Sequence, residues 1–503
     1  MGTSLAPNQA NYLLFSDVHL GADLVQHARP WTSARLRQEL QVDRQLASML
    51  EHYRAQAEPG HPWKLIIAGD LVDFVGMSIS PRDGSPLHTP MTEEELRHGL
   101  GSASDHVVHK MRAVAERHDL FFRKLALFVA DGHALVLIRG NHDVEFYWDS
   151  AREAFVDALI ERAGDALPDT AARDAFRARI EFRHWFYYAE NLLYVEHGHQ
   201  YDETCSYSNV LVPLSPRDPK RLAYSFSDIL LRYVVRPTRG LSASGHDGKR
   251  LSDYLRLAWS MGLQGGARLG YRFFSAVFAM IDAWRDHISE RSHELRVESD
   301  RHMQGIADRF RLSLDKLRAL SALNARPVTE RFFLILRSVF LDLTAAICAS
   351  AVLVAVLLLG ELLPVVYVAP LAVLLGAGIY GWMKTSRVVD PEGPLRKGAA
   401  RVAELFPARF IIMGHTHDPV MEPVTEGVTY INLGAWAVDD VDNEGLLSQP
   451  PCTHAVIRHV DGKPHAELRR WCSEQGPSTV HASLPEVESG VHARPKQADE
   501  QVA

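Results

Sequence analysis

The chain has 503 residues, more than one ordinary core accommodates, so two or more domains are expected. Its formal net charge of −8 gives no global basic field for nucleic acid, and no dense Lys/Arg stripe interrupts it, which argues against a nuclease. Its four cysteines, Cys205, Cys348, Cys452 and Cys472, are scattered without a CxxC pair; this indicates neither a disulfide framework nor a cysteine zinc knot and fits a reducing compartment.

Residues 1–10 have neither a charged start nor a long apolar core, so no signal peptide is expected. Tyr12-Leu13-Leu14-Phe15-Ser16 reads as a short apolar strand that runs into Asp17-Val18-His19. Asp17 and His19 sit two apart, so an extended backbone turns both to one face, and an oxygen beside a nitrogen donor suits a divalent transition metal. Residues 38–53 have helical spacing. Ile66-Ile67-Ala68-Gly69-Asp70-Leu71-Val72-Asp73 then repeats the first theme: a buried strand ends in Gly-Asp, with a second carboxylate three residues on. In an open α/β sheet the carboxyl edge of the strands is where ligands bind.

Residues 91–129 are mostly helical, opened by a Thr92 cap with Glu93, Glu94 and Glu95 in the first turn. Residues 134–138 form the next apolar strand and lead into Gly140-Asn141-His142-Asp143. Asn141 offers a carbonyl oxygen, His142 can give or take a proton, and Asp143 is placed to orient it. Residues 191–195 are followed by Glu196-His197-Gly198-His199, in which either histidine could ligate. Between about 206 and 397 the strand-then-ligand rhythm stops and the chain reads as helical. It resumes at residues 410–413, followed by Gly414-His415-Thr416-His417; 428–434 and 455–460 are further strands. The tail from about Ser473 is rich in Pro, Ser, Glu and Gln and is expected to be disordered.

Asp-x-His, Gly-Asp-x-x-Asp, Gly-Asn-His-Asp, His-Gly-His and Gly-His-Thr-His, in that order and each after an apolar strand, resemble the calcineurin-like metallophosphoesterases. The resemblance covers roughly 10–205 and 400–470. It implies a two-sheet α/β/β/α sandwich and two divalent metal ions, Mn²⁺ being the leading candidate and Fe²⁺ or Zn²⁺ the alternatives. Carried over motif by motif, Asp70 would bridge the ions, Asp17, His19 and His417 would complete the first site, and Asn141, His197 and His415 the second. His142 matches the residue that contacts the phosphate and assists the leaving group, and Asp143 is grouped with it. Two metals neutralise an anionic ester or pyrophosphate and lower the pKa of bound water.

Residues 343–360 and 362–383 carry no charged side chain, and each is long enough to span a bilayer. A two-span hairpin is expected over 331–387, because His197 before it and His415 and His417 after it must meet on one side. Arg331, Arg337, Lys384 and Arg387 flank it, which puts the catalytic domain in the cytoplasm. Within 206–330, Phe226, Ile229, Leu230, Tyr233 and Val234 recur at helical spacing, and Tyr271, Phe273, Phe274, Val277, Phe278 and Trp284 make a second aromatic stretch. Such helices either lie on anionic lipid or cap the catalytic domain.

Ser16-Asp17-Val18-His19-Leu20, Gly414-His415-Thr416-His417-Asp418-Pro419 and Leu433-Gly434-Ala435-Trp436 most resemble the UDP-2,3-diacylglucosamine pyrophosphohydrolases. That family also places a helical insertion, which holds acyl chains, between the last two His motifs. His142, where many of its members have Arg, and the apolar hairpin are departures. The expected architecture is therefore a metallophosphoesterase domain split over 10–205 and 400–472, a cap or membrane-interface insertion over 206–330, the hairpin, and a tail from 473 to 503. The leading function is membrane-bound hydrolysis of a phosphodiester or pyrophosphate on a lipid-linked substrate, with membrane lipid as partner and no nucleic acid. A tethered phosphatase for soluble substrates and a non-catalytic membrane scaffold are the alternatives.

Overall fold

A computed structural model describes residues 10–27, 33–81, 86–238, 261–338, 349–357, 365–385, 392–437 and 450–482. Each apolar stretch expected to be a strand is one. β1 (Asn11–Phe15), β2 (Trp63–Ala68), β3 (Ala134–Ile138) and β4 (Ile180–Arg183) run parallel. β5 (Phe186–Ala189) and β6 (Leu193–Glu196) start a second sheet, which β7 (Phe410–Met413), β8 (Val420–Thr425) and β9 (Val428–Asn432) complete. β10 (Thr453–Val460), β11 (Lys463–Cys472) and β12 (Gly476–Ala482) return to the first sheet, where β10 pairs antiparallel with β1. The orders are β12-β11-β10-β1-β2-β3-β4 and β5-β6-β7-β9-β8.

Strand alternation builds the layers. Tyr12 and Leu14 of β1, Ile66 and Ala68 of β2, and Val136 and Ile138 of β3 face Leu193, Val195, Phe410, Ile412 and Ile431 of the other sheet. The intervening residues Leu13, Phe15, Leu65, Ile67, Leu135 and Leu137 point the other way. They pack under α1 (Ser33–Ala55), α3 (Ser104–Arg117), α4 (Asp119–Ala130) and α5 (Asp149–Ala163). The outer face of the second sheet, including Tyr194, Ile411 and Met413, is covered by α9 (Glu290–Phe310), α10 (Leu314–Ser321) and α13 (Glu392–Leu405). Helix, sheet, sheet and helix therefore stack in that order, the sandwich that the motifs implied. α2 (Glu93–His98) begins at Thr92 with a full capping box to Glu95, and α6 (Thr170–Ala178) leads into β4.

The inserted region packs as a cap. α7 (Phe226–Leu230) continues as a π-helical turn, Leu231–Val235. Phe226, Ile229 and Val234 are buried with Ala276, Val277 and Met280 of α8 (Gly262–His287) and Ile335 of α11 (Phe332–Ser338). On its other side α8 shows Tyr271, Phe274 and Phe278 to solvent.

Two expectations change. Among the described residues no helix is long and apolar enough to cross a membrane, so the fold does not support the transmembrane hairpin. Much of the hairpin's first arm, and the turn between its arms, lie outside the described residues. Its second arm is α12 (Val365–Thr385), with Val366, Tyr367, Val373 and Leu374 exposed. Part of the tail expected from Ser473 is ordered: β12 is an edge strand paired with β11 from Glu467 to Cys472. Residues 483–503 lie outside the described residues.

Candidate metal centre

Five strand ends converge. Asp17 and His19 follow β1, Asp70 follows β2, Asn141 and His142 follow β3, His197 follows β6, and His415 and His417 follow β7. Asp17, Asp70, Asn141 and His197 are buried, while His142, His415 and His417 form a partly open rim. The donor atoms of Asp17, His19 and His417 lie within 4.8 Å of one another, and so do those of Asp17, Asp70 and His197. His417 Nε2 is 3.3 Å from Asp17 Oδ1, and His19 Nε2 is 3.7 Å from Asp70 Oδ2.

The loops that carry these groups interlock. The N–H groups of Val18 and His19 donate to the Asp70 carbonyl, and those of Trp436 and Ala437 to the Asp17 carbonyl. The His142 N–H donates to Asp70 Oδ1 at 2.8 Å and the His415 N–H to Asp17 Oδ2 at 3.1 Å. Gly140 is needed at its place, since a Cβ there would stand 2.0 Å from Asp70 Oδ1. Asn432 braces the last loop by donating to the Gly414 carbonyl and Thr416 Oγ1.

The donor set fits a cation. His197 Nδ1 donates to the Ala68 carbonyl at 2.9 Å, which leaves a lone pair on Nε2 of the neutral ring. That nitrogen faces Asn141 Oδ1 at 3.1 Å and Asp70 Oδ2 at 3.2 Å. Three acceptors converge, an arrangement that a cation satisfies. Asp17 Oδ1 and His19 Nε2 are likewise buried without a hydrogen-bond partner. In the cation-free protein, protons take up part of this role. Burial alone would lower the His197 pKa, but Asp70 and Asp17 raise it to about 9. Burial works against ionisation of Asp17 too, yet His197 and His417 hold it at about 2. Mixed O and N donors fit divalent ions such as Mn²⁺, Fe²⁺ or Zn²⁺.

His142 is oriented by a different carboxylate from the one expected. Asp143, its neighbour, is buried and accepts the N–H groups of Gly140 at 2.6 Å and Leu71 at 2.9 Å, tying the β3 loop to the β2 loop. Burial and the nearby Asp70 charge raise its pKa to about 7. The carboxylate on the His142 ring is Asp73, whose Oδ1 accepts from Nδ1 at 2.8 Å. Burial alone would lower the His142 pKa, but Asp73 and Asp70 raise it to about 9. Asp73 was visible in the Gly-Asp-x-x-Asp stretch, although the stretch alone does not say which ring it meets.

Two further groups reach the site that its motifs do not include. Asp202 Oδ2 accepts from His415 Nε2 at 3.1 Å, and Thr204 anchors that carboxylate with its N–H and hydroxyl. Arg236 of the cap reaches Asp73. His199 is in none of the metal-holding groups among the described residues: Gln200 Nε2 donates to its Nε2 at 2.8 Å.

The family model of calcineurin-like phosphoesterases matches residues 10–231. The match supports placing the chain in that superfamily and implies metal-dependent phosphoester hydrolysis. No curated protein and no solved structure matches the chain.

Proposed function

We propose that the chain hydrolyses a phosphodiester or pyrophosphate bond with two divalent metal ions. The observation that carries this reading is that Asp17, His19, Asp70, Asn141, His142, His197, His415 and His417 stand at five strand ends, where the donor atoms of Asp17, His19 and His417 and those of Asp17, Asp70 and His197 cluster. By the motif match Asp70 would be shared between the ions, and its Oδ2 stands 3.7 Å from His19 Nε2 and 3.2 Å from His197 Nε2. Bound ions would neutralise the phosphate and lower the pKa of the attacking water. The protein supplies the rest. Water attacks phosphorus and releases one proton to solvent, the bond to the leaving oxygen breaks, and the Nε2 proton of imidazolium His142 passes to that oxygen while Asp73 holds Nδ1, the ring then regaining a proton from solvent.

The substrate we propose is lipid-linked, of the UDP-diacylglucosamine kind, met at the cytoplasmic face of a membrane. Its support is the resemblance in the Ser16–Leu20, Gly414–Pro419 and Leu433–Trp436 motifs, with exposed Tyr271, Phe274 and Phe278 on one face of α8. The apolar stretches 343–360 and 362–383, with the flanking Arg331, Arg337, Lys384 and Arg387, are the proposed attachment. A panel of phosphomonoesters, phosphodiesters and lipid-linked pyrophosphates, each with Mn²⁺, Fe²⁺ or Zn²⁺, tests the reaction. No metal-dependent hydrolysis anywhere in the panel would remove the enzyme reading, and equal rates with and without lipid would remove the lipid-linked one.

A further inference from the structure

The cap reaches into the catalytic side of the molecule at one point. Arg236 follows the π-helical turn, and its N–H donates to the Leu231 carbonyl at 2.9 Å. Such turns are rare and cluster at functional places. Arg232, on the same turn, anchors it by donating to the Gly99 carbonyl at 2.6 Å and pairing with Glu94. Val75 packs against Leu231 and Val235 beside it. With the turn so fixed, Arg236 Nη2 donates to Asp73 Oδ2 at 2.5 Å, and Nη1 reaches the Ala22 carbonyl at 3.4 Å.

Asp73 is thereby held at both oxygens. Its Oδ1 takes the His142 Nδ1–H at 2.8 Å and the Gly76 N–H at 2.7 Å, and its Oδ2 takes Arg236. The carboxylate is 1% exposed and the arginine side chain 11%, so no bulk water competes for that oxygen. Gly76 makes the pair possible. A Cβ there would stand 2.0 Å from Asp73 Oδ2 and 2.2 Å from Arg236 Nη2, although the Gly76 backbone is one that alanine can adopt. A carboxylate held at one oxygen can swing about its Cβ–Cγ bond; held at both, it cannot.

We propose that Arg236 is a positioning residue for the reaction: by fixing Asp73 it fixes the His142 ring, so the site is complete only when the cap is docked. The catalytic half of this statement rests on the hydrolase reading above; the geometric half does not. The test uses the full chain with Arg236→Gln, Arg236→Lys and Gly76→Ala. In metal-free protein, the downfield proton resonance of His142 Nδ1–H, identified by its loss in His142→Gln, should broaden or vanish in Arg236→Gln and Gly76→Ala and persist in Arg236→Lys. With Mn²⁺ and bis(p-nitrophenyl) phosphate as probe, Arg236→Gln should lower kcat ~10- to 100-fold, the scale of a misaligned catalytic group. KM and bound Mn²⁺ should hold, and Arg236→Lys should recover much of the rate. A His142 resonance unchanged in Arg236→Gln overturns the inference whether or not the probe is hydrolysed. A loss carried by KM alone also overturns it, since the arginine would then be binding substrate. A wild-type chain that hydrolyses nothing would refute the hydrolase reading, and with it a positioning role in catalysis, while the resonance still reports the Arg236–Asp73–His142 geometry.

Discussion

Replacing Asp143 should cost stability before it costs chemistry. Its carboxylate is 1% exposed and accepts two backbone N–H groups, from Gly140 and Leu71. Asp143→Ala strands both donors in a buried place. Each unsatisfied donor costs about 1–3 kcal/mol, so the variant should lose about 2–6 kcal/mol. Asp143→Asn keeps one acceptor oxygen and should lose about half of that. Asp73→Ala differs in acting on turnover, because it removes the partner of the His142 ring; it should cost stability too, since it strands the Gly76 N–H and the Arg236 guanidinium. The assay pairs urea unfolding midpoints of the metal-free variants with kcat of the metal-loaded folded protein. A midpoint unchanged in Asp143→Ala, with turnover falling as far as in Asp73→Ala, would refute the division of labour between the two carboxylates. It would return Asp143 to the role of orienting His142.

Asp70→Asn should release most bound metal and nearly all activity while the far-ultraviolet circular dichroism stays native; metal content and rate both unchanged would remove Asp70 from the centre. His142→Ala should slow turnover ~10²- to 10⁴-fold with both metal equivalents retained, the range for a general acid; loss of a full equivalent would make it a ligand instead. Replacing residues 341–382 with a short flexible linker should free the protein from membranes and leave hydrolysis of a small soluble ester intact, as fractionation and a rate assay would show. Retention after a high-salt wash would place the attachment elsewhere, for instance on the aromatic face of α8.

What could be read from the sequence depended on how local the signal was. β1, β2, β3, β6 and β7 are short and buried, so each shows as an apolar run, and each hands its ligand residues over at once. β4 is only half-buried along its length, β8 carries Pro423, and β11 alternates Lys463, His465, Glu467 and Arg469 with other residues, so none reads as an apolar run. The sequence points to the wrong partner for His142 for a related reason. Asp143 is adjacent in the chain, but its carboxylate turns back to Gly140 and Leu71, while Asp73, 69 residues away, is brought alongside by the β2–β3 pairing. Asp202 comes from a stretch with no periodic pattern, and Arg236 follows the helically spaced run 226–234, whose spacing does not say what the arginine meets; only the folded chain shows what the two touch.

The last prediction concerns metal removal, and it follows from where the backbone is strained. Among the described residues nine that are not glycine have positive φ, and five of them are Asp17, His19, Asp70, His415 and His417. Left-handed backbone costs about 1–3 kcal/mol at each such residue, and it persists only where the surroundings over-determine it. Here the surroundings are protein. The Asp70 carbonyl takes two N–H groups, the Asp17 carbonyl takes two more, and the strands beneath lie in two paired sheets. The ligand loops are thus shaped by the fold rather than by the ions, unlike small metal domains whose binding energy is their folding energy. Chelation should therefore abolish hydrolysis while leaving circular dichroism and the unfolding transition cooperative. Added Mn²⁺ should restore the rate without a slow refolding phase and raise the unfolding midpoint as a ligand does. Chelation that instead collapsed the near-ultraviolet spectrum would show that the cations, not the interlocked loops, hold the strained residues in place.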